Sequence, residues 1–166
     1  GGGNEAFLLK SATKSGLTMN EVALIQKESN LPMDVISQFH SMKEYLVYKE
    51  AGLKPVIVNG RVALVQDIDL DYVSELSDGT KVTNLERMQR GFAPIEPATG
   101  KAYELHHIGQ KADGTLAVLT RYQHRKNASI LNQPGKASEI DRLGFGNTRK
   151  DFWEYAGTYV FGNGGV

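Results

Sequence analysis

The pattern of apolar and polar positions predicts helices in the first third of the chain. Three stretches are expected to be helical: 18–29, 32–40 and 42–51. Thr18 with Glu21, and Ser41 with Glu44, each match the capping-box pattern that begins a helix. We therefore expect a small helical segment ahead of the rest of the chain.

The next part of the chain has the alternating pattern of strands. Asn59 and Gly60 stand between two runs rich in β-branched residues, a strong local signal for a hairpin with a primed turn. Farther on, Asp67, Asp69 and Asp71 alternate with apolar neighbours, which predicts a half-buried strand with one solvated face. A metal-binding loop is the alternative, but the run lacks the glycine and the terminal glutamate of an EF-hand. The strand interpretation is the one we favour.

The middle of the chain is predicted to form a strand, strand, helix unit. One strand is expected over 102–108 and a second over 115–119, joined by a turn at Asp113 and the glycine after it. Thr120 is placed to cap the helix that follows, and Thr83 is placed to cap a short helix before the unit. A turn-rich stretch and a final helix complete the chain. The predicted fold class is α+β.

Length and composition narrow the possible classes. The 166 residues suffice for one domain with a small helical addition, and a composition shift suggests a helical segment 1–60 and a main domain 61–166. No apolar run of about 18 residues is present, so we expect no membrane-spanning segment. The chain has no cysteine, which excludes disulfides and thiolate zinc clusters. Any metal site must therefore use His, Asp, Glu or Asn.

The net charge of zero conceals an uneven distribution. Residues 1–80 contain 7 basic and 11 acidic side chains, 81–150 contain 12 basic and 6 acidic, and the last sixteen contain 0 and 2. Positive charge is thus concentrated around the predicted strand, strand, helix unit, as contact with phosphates requires. An ordinary solvated face is the alternative interpretation.

Histidines provide the candidate chemistry. Three of the four lie within 19 residues: His106 and His107 near the end of a predicted strand, and His124 one turn into the next helix. Hydrolysis of a phosphodiester needs a Lewis acid and a base, and imidazole serves as metal ligand or as base. Adjacent side chains of a strand point to opposite faces, so the pair shares one phosphate only if the strand ends or bends there, which Gly109 permits. We interpret His40, beside an aromatic residue on a helix, as a surface or core residue.

The run ELHH, a glycine-containing hairpin, LT, three residues and a histidine resembles the ββα-metal motif of HNH nucleases, including colicin-type DNases. The segment TNLERMQRGFAPIEPATGKAYELHHIGQKADGTLAVLT, with the later SEIDR and RKDFW, is still more similar to the Leu-His-His branch of the HNH and endonuclease VII superfamily. That branch occurs as C-terminal toxin domains of bacterial polymorphic toxins. The resemblance covers about residues 80–155 and implies a ββα-metal core with additional helices.

The resemblance also implies roles for the histidines. His106 corresponds to a metal ligand, His107 to the general base that activates water, and His124 to a second ligand from the helix. The middle asparagine of the HNH name is missing, since Thr115 or a neighbour occupies its place. The orientation of His107 is then expected to come from a backbone carbonyl or another group.

The third ligand is where the chain departs from the colicin pattern. Where those proteins carry a second helix histidine, this chain has Ala128. Asn132, at a position where related toxins are expected to carry His or Asn, is our first choice for the third ligand. Asn127 is the second choice, because it lies three residues after His124 and so faces the same side of the helix.

Other site residues follow from the same resemblance. Glu104 corresponds to a carboxylate that holds an arginine near the scissile phosphate, and Arg87 or Arg90 is expected to be that arginine; a surface ion pair is the alternative. The remaining candidates for phosphate contact are basic: Lys111, Arg121, Arg125, Lys126 and Arg149. Three aromatic residues are assigned to packing rather than to base stacking: Phe152, Trp153 and Tyr155.

Together these features predict a divalent-metal-dependent endonuclease that cleaves DNA with little sequence preference. One metal ion is expected, and Zn²⁺, Ni²⁺, Mg²⁺ and Mn²⁺ remain open. The resemblance implies a secreted effector that acts in the cytoplasm of a target bacterial cell, with a cognate immunity protein as partner. The alternatives are an RNase toxin and a non-catalytic module that binds zinc or nucleic acid.

Overall fold

The computed structural model describes residues 16–133, 135 and 142–162, so most of the SEIDR motif lies outside the described residues. Seven α-helices occur in this part: α1 Met19–Ser29, α2 Met33–Ile36, α3 Met42–Glu50, α4 Asn84–Gln89, α5 Arg121–Lys126, α6 Ala128–Leu131 and α7 Arg142–Tyr155. Eight strands accompany them: β1 Lys54–Val58, β2 Arg61–Val65, β3 Val73–Glu75, β4 Lys81–Thr83, β5 Ile95–Glu96, β6 Lys101–Ala102, β7 Glu104–His107 and β8 Leu116–Leu119. A π-helical turn, Ala156–Val160, continues α7. Across these residues, every helix is too short or too polar to cross a membrane.

The predicted helical segment is present, with one helix shorter than expected. The capping box of Thr18 and Glu21 forms at the head of α1. Ser41 caps α3 by accepting a hydrogen bond from the backbone N–H of Glu44, while the Glu44 carboxylate accepts from the backbone N–H of His40. The second helix ends at Ile36 rather than at residue 40. Thus side-chain caps define where the first and third helices begin.

The hairpin at Asn59 and Gly60 is confirmed. Both residues have positive φ, 52° and 77°, as the primed turn requires, and β1 and β2 pair antiparallel. The division expected between residues 60 and 61 falls inside this turn. A division there would separate two paired strands, so the hairpin joins the helical segment to the rest of the fold.

Two strand predictions need correction. Residues 66–72 are irregular, because the Asp69 carboxylate accepts a hydrogen bond from the backbone N–H of Asp71 and holds a local turn in place of a strand. The strand expected over 102–108 is divided, since Tyr103 donates its backbone N–H to Pro94. Only β7 joins the main sheet, while β6 pairs with β5.

The main sheet has the strand order β1-β2-β8-β7, with β2 parallel and β7 antiparallel to β8. Helices α1 to α3 and α6 cover one face, where Phe39 and Tyr48 pack with Leu64 of β2 and other sheet residues. Helices α4 and α7 cover the other face, where Met88 and Trp153 pack. The fold class is α+β, and β7, β8 and α5 form the predicted strand, strand, helix unit at the sheet edge.

Candidate active site

The histidine pair is divided between the two faces of β7. The register pairs His106 with Ala117 and His107 with Leu116, so both histidines lie in regular strand and point to opposite sides. The ring of His107 contacts Phe145 of α7 edge-on, with centroids 4.5 Å apart. The bend that glycine permits comes after the pair, at residues 109 and 110, which both have positive φ.

His124 is held in place by a carboxylate from β7. Helix α5 begins with a capping box between Thr120 and Gln123, which places His124 over the strand. Its Nδ1 lies 2.9 Å from Oε1 of Glu104, and Oε2 of Glu104 accepts a hydrogen bond of 3.1 Å from Arg125. An ionised carboxylate only accepts, so this hydrogen bond forms when Nδ1 of His124 carries the proton. The lone pair on Nε2 is then available for a ligand.

His106 lies beside this helix histidine. Its ring centroid is 5.2 Å from that of His124, only 4% of the residue is exposed, and its Nε2 is buried without a hydrogen-bond partner. Burial, together with smaller effects of charge on His124, His107 and His40, lowers the pKa of His106 to about 3. The imidazole is therefore neutral at ordinary pH, the form that binds metals.

These two imidazoles fit a divalent cation. A buried ring nitrogen without a partner is unfavourable unless something satisfies it, and a metal ion would do so. Across the described part of the chain, no group of three or more His, Cys, Asp or Glu is spaced to hold a metal ion. A site on His106 and His124 would thus be completed by an amide oxygen or by water, and would keep open positions for substrate.

The two amide candidates occupy different positions. Asn132, which ends α6, lines the same cavity as His124 and Ala128. Asn127 donates its side-chain N–H to the backbone oxygen of Gln123 at 2.8 Å, so its amide is turned toward the helix. This difference leaves Asn132 as the better placed of the two.

An open cavity of about 580 Å³ adjoins the helix histidine, and we call it the arginine cavity. The residues that define it are Glu104, His124, Asn132, Phe145 and three arginines, Arg121, Arg125 and Arg149. Three guanidinium groups with one carboxylate favour a phosphate ligand. The remaining basic candidates lie elsewhere: Lys126 lies over the ring of Tyr122, and neither Lys111 nor Arg90 lines this cavity.

The predicted partner of Glu104 is wrong. Arg87 donates its Nε–H to the backbone oxygen of Ala93 at 2.9 Å, and burial lowers the pKa of its guanidinium. Arg90 ends α4 and also makes no contact with Glu104. Since α5 crosses β7 directly, Arg125 of that helix takes the place expected for Arg87 or Arg90.

The other face of β7 has its own cavity, of about 560 Å³, which we call the tyrosine cavity. The residues that define it are Asn59, Arg61, His107, Asp151, Glu154, Tyr155 and Tyr159. Burial lowers the pKa of His107, and the charge of Arg61 lowers it further. Arg61 also donates to the backbone oxygen of Asp113. No sequence signal distinguished Arg61, whose relevance comes only from its position beside His107.

Thr115, which occupies the position of the missing HNH asparagine, forms hydrogen bonds with Gln38 of the helical segment. Gln38 donates to Oγ1 of Thr115 and accepts from its backbone N–H, both at 2.9 Å and across 77 positions of sequence. Thr115 in turn accepts from the backbone N–H of Ile108, directly after the histidine pair. Gln38 thus ties the loop that follows His107 to the helical layer. Sequence reasoning missed it, because nothing local marks such a pair.

Phe152 and Trp153 are buried, so their assignment to packing is confirmed. Tyr155 also packs against this core, while its half-buried side chain lines the tyrosine cavity as well. The structure therefore places Glu104 and His124 at the arginine cavity, with His106 buried behind His124, and it places His107 at the tyrosine cavity.

Residues 83–157, slightly under half of the chain, match the model of a family described as a nuclease of the HNH/ENDO VII superfamily with conserved LHH. Leu105, His106 and His107 supply that triplet here. The matched segment begins at the end of β4 and includes the strand, strand, helix unit and α7.

Comparisons with curated proteins and with solved structures return no match. Nucleases of the matched superfamily typically use a divalent metal, which agrees with the adjacent imidazoles of His106 and His124. Residues 83–157 of this chain are thus similar to the Leu-His-His family of HNH/endonuclease VII superfamily nucleases, enzymes that act on nucleic acid.

Proposed function

We propose that the chain is a divalent-metal-dependent endonuclease that hydrolyses DNA with little sequence preference. The observation that supports it most is the pair of adjacent imidazoles of which His124 lines the arginine cavity. In this pair the buried, unpartnered Nε2 of His106 lies beside His124, whose orientation Glu104 holds.

In this proposal His106 and His124 hold the cation, Asn132 is the first candidate for a third ligand, and Asn127 is the second. When bound, the cation would act as a Lewis acid on a phosphoryl oxygen and on the leaving oxygen. Arg121, Arg125 and Arg149 bind phosphates of the backbone, as their position in the arginine cavity suggests. Phosphate contacts position a nucleic acid without reading its sequence, hence the proposed low preference.

His107 is the proposed general base. Because burial and Arg61 lower its pKa, the imidazole is neutral near pH 7 and has a lone pair for a proton. The base takes one proton from water as the water oxygen bonds to phosphorus. The bond between phosphorus and the 3′ oxygen breaks, and that oxygen takes a proton from solvent. The products are a 3′ hydroxyl and a 5′ phosphate.

The test is direct. Purified protein is incubated with plasmid DNA and with total RNA, with each of Mg²⁺, Mn²⁺, Zn²⁺ and Ni²⁺ and with a chelator. We expect plasmid cleavage that the chelator abolishes. Cleavage that persists without metal, or no cleavage with any of the ions, would refute the proposal. Cleavage of RNA without cleavage of plasmid DNA would mean that the substrate is RNA and not DNA.

The variant His107→Ala separates the roles of the two adjacent histidines. We expect it to lose cleavage while the fold and the metal affinity are retained, because His107 faces away from His106. Isothermal titration with the active ion and a thermal melt measure the two retained properties. A loss of metal affinity in His107→Ala would mean that the roles of the two histidines are exchanged.

We propose further that the chain is a toxin effector domain, delivered by secretion and active in the cytoplasm of a target bacterium, with a cognate immunity protein. The support is the resemblance of the Leu-His-His segment to C-terminal toxin domains. Expression in a bacterial host tests it: growth should stop with the native chain and continue with His107→Ala. Co-expression of the product of the neighbouring gene should restore growth and co-purify with the chain.

A further inference from the structure

Two cavities adjoin the histidine region, and their chemistry differs. The arginine cavity has three guanidinium groups and one carboxylate among its lining residues. The tyrosine cavity has one guanidinium, from Arg61, and two carboxylates, from Asp151 and Glu154. Phosphate binds well in the first and is repelled in the second, so the two cavities suit different parts of a nucleotide.

The tyrosine cavity has an aromatic wall. The rings of Tyr155 and Tyr159 lie with centroids 4.8 Å apart, tilted by 48°, and both side chains line the cavity. Tyr159 is 59% exposed, so its ring is accessible to a ligand. Aromatic side chains of this kind stack with nucleobases of any sequence, since every base has a π-face.

The polar groups of this cavity also suit a base. The carboxylates of Asp151 and Glu154 are acceptors, and the bases present amino and imino N–H donors on the edges that pairing otherwise covers. Lys150 lies 3.6 Å from Glu154 and offsets part of its charge. A volume of about 560 Å³ lies within the range of small-ligand pockets, which is the size class of one nucleoside.

His107 lies at the side of the tyrosine cavity nearest to the arginine cavity. Its side chain lines the tyrosine cavity, and its ring contacts Phe145, which lines the arginine cavity. A nucleotide with its phosphate at the arginines and its base against the tyrosines would therefore pass beside the proposed base catalyst.

We propose that the tyrosine cavity binds one unpaired nucleobase next to the scissile phosphate, so that the preferred substrate is single-stranded or locally unpaired nucleic acid. This inference rests on the proposed nuclease function. A base in a duplex must leave its stack and its pair before it enters such a cavity, at a free-energy cost that single strands largely avoid. Duplex substrates are consequently cut more slowly.

The experiment compares one labelled DNA oligonucleotide as a single strand and as a duplex with its complement, under the active metal. We expect the native chain to cut the single strand about tenfold faster, as the loss or gain of one stacked base implies. Tyr159→Ala should reduce this ratio toward one, and Tyr159→Phe, which keeps the ring, should restore it. Phe92→Ala is the control, because Phe92 is another exposed aromatic residue, at 48%, and lines neither the tyrosine cavity nor the arginine cavity.

A binding measurement in chelator gives a readout that is independent of cleavage. The probe is a single-stranded oligonucleotide with 2-aminopurine, whose fluorescence falls on stacking. We expect Tyr159→Ala to weaken binding about tenfold and to remove the quenching.

Equal cleavage of single strand and duplex, or an unchanged ratio in Tyr159→Ala, would overturn the inference while the nuclease proposal stands. The inference would also be overturned if Tyr159→Ala lowered both the cleavage ratio and the melting temperature of the protein, because Tyr159 would then have a structural role. No cleavage of any substrate would refute the nuclease proposal itself.

Discussion

Glu104 is the residue whose removal tests the architecture of the metal site most directly. In Glu104→Ala the helix histidine loses the acceptor of its Nδ1–H at 2.9 Å, and Arg125 loses its acceptor at 3.1 Å. The ion pair with Arg125 is exposed and contributes about 0–1 kcal/mol to stability. The bond to His124 instead sets which ring nitrogen carries the proton and where the ring points. Loss of such an orienting carboxylate typically weakens metal affinity about 10- to 100-fold.

The assay is isothermal titration of metal into the native chain and into Glu104→Ala. We expect affinity to fall 10- to 100-fold, equivalent to about 1.4–2.7 kcal/mol. The matched control is Glu28→Ala: Glu28 also accepts from two side chains, Tyr45 at 2.6 Å and Lys49 at 3.1 Å, and is similarly exposed at 31% against 26%. That variant should bind metal as the native chain does.

Two results would refute this reasoning. Unchanged metal affinity in Glu104→Ala would mean that His124 is no ligand or needs no orientation. An equal loss in Glu28→Ala would mean that general destabilisation, and not the geometry of the site, reduces the affinity.

Three further predictions concern stability. Gln38→Met should lower the free energy of unfolding by about 3 kcal/mol, because it removes three hydrogen bonds of about 1 kcal/mol each, two to Thr115 and one to the backbone oxygen of Asp34. A double-mutant cycle with Thr115→Val in chemical denaturation should give a coupling energy of about 1 kcal/mol, for the bond to the Thr115 hydroxyl, and no coupling would contradict it. Because the pKa of His106 is lowered from 6.5 to about 3, the metal-free protein should lose stability as pH falls from 6.5 toward 3, by up to about 1.4 kcal/mol per pH unit, and His106→Asn should flatten the slope in urea titrations. Gly157→Ala should destabilise the protein by about 1–3 kcal/mol, since the added Cβ would lie 2.7 Å from the α4 methionine. Gly146→Ala is the control: it has open space inside helix α7 and should melt at or above the temperature of the native chain, because alanine favours a helix interior by about 0.5–1 kcal/mol.

The parts of the fold that were predictable depend on signals within a few residues. Thr120 with Gln123, and Thr83 with Glu86, form the caps that begin α5 and α4. The Asn-Gly turn makes its hairpin, and the strand, strand, helix unit follows from turn and cap residues in the right order. Such signals act through the local backbone, so the sequence alone contains them.

The failed predictions have a common cause. The alternation of Asp67, Asp69 and Asp71 with apolar residues predicted a strand. The Asp69 carboxylate instead accepts a hydrogen bond from the backbone N–H of Asp71, which forms a local turn without a partner strand. The strand expected over 102–108 is divided because Tyr103 donates its backbone N–H to Pro94 and not to a residue of the main sheet. Pairing partners are a property of the sheet, and periodicity in one segment does not specify them.

The sequence by itself determined the local features of this protein: the helix caps, the hairpin turns, and a histidine pair and a third histidine on a ββα unit. Only the tertiary structure decided which groups meet there. In the folded protein Glu104 forms hydrogen bonds with His124 and Arg125, and not with Arg87. Gln38 forms a hydrogen bond with Thr115, 77 positions away in sequence. The physical reason is that these contacts depend on how the helical layers pack on the two faces of the sheet, and no short-range spacing encodes that packing.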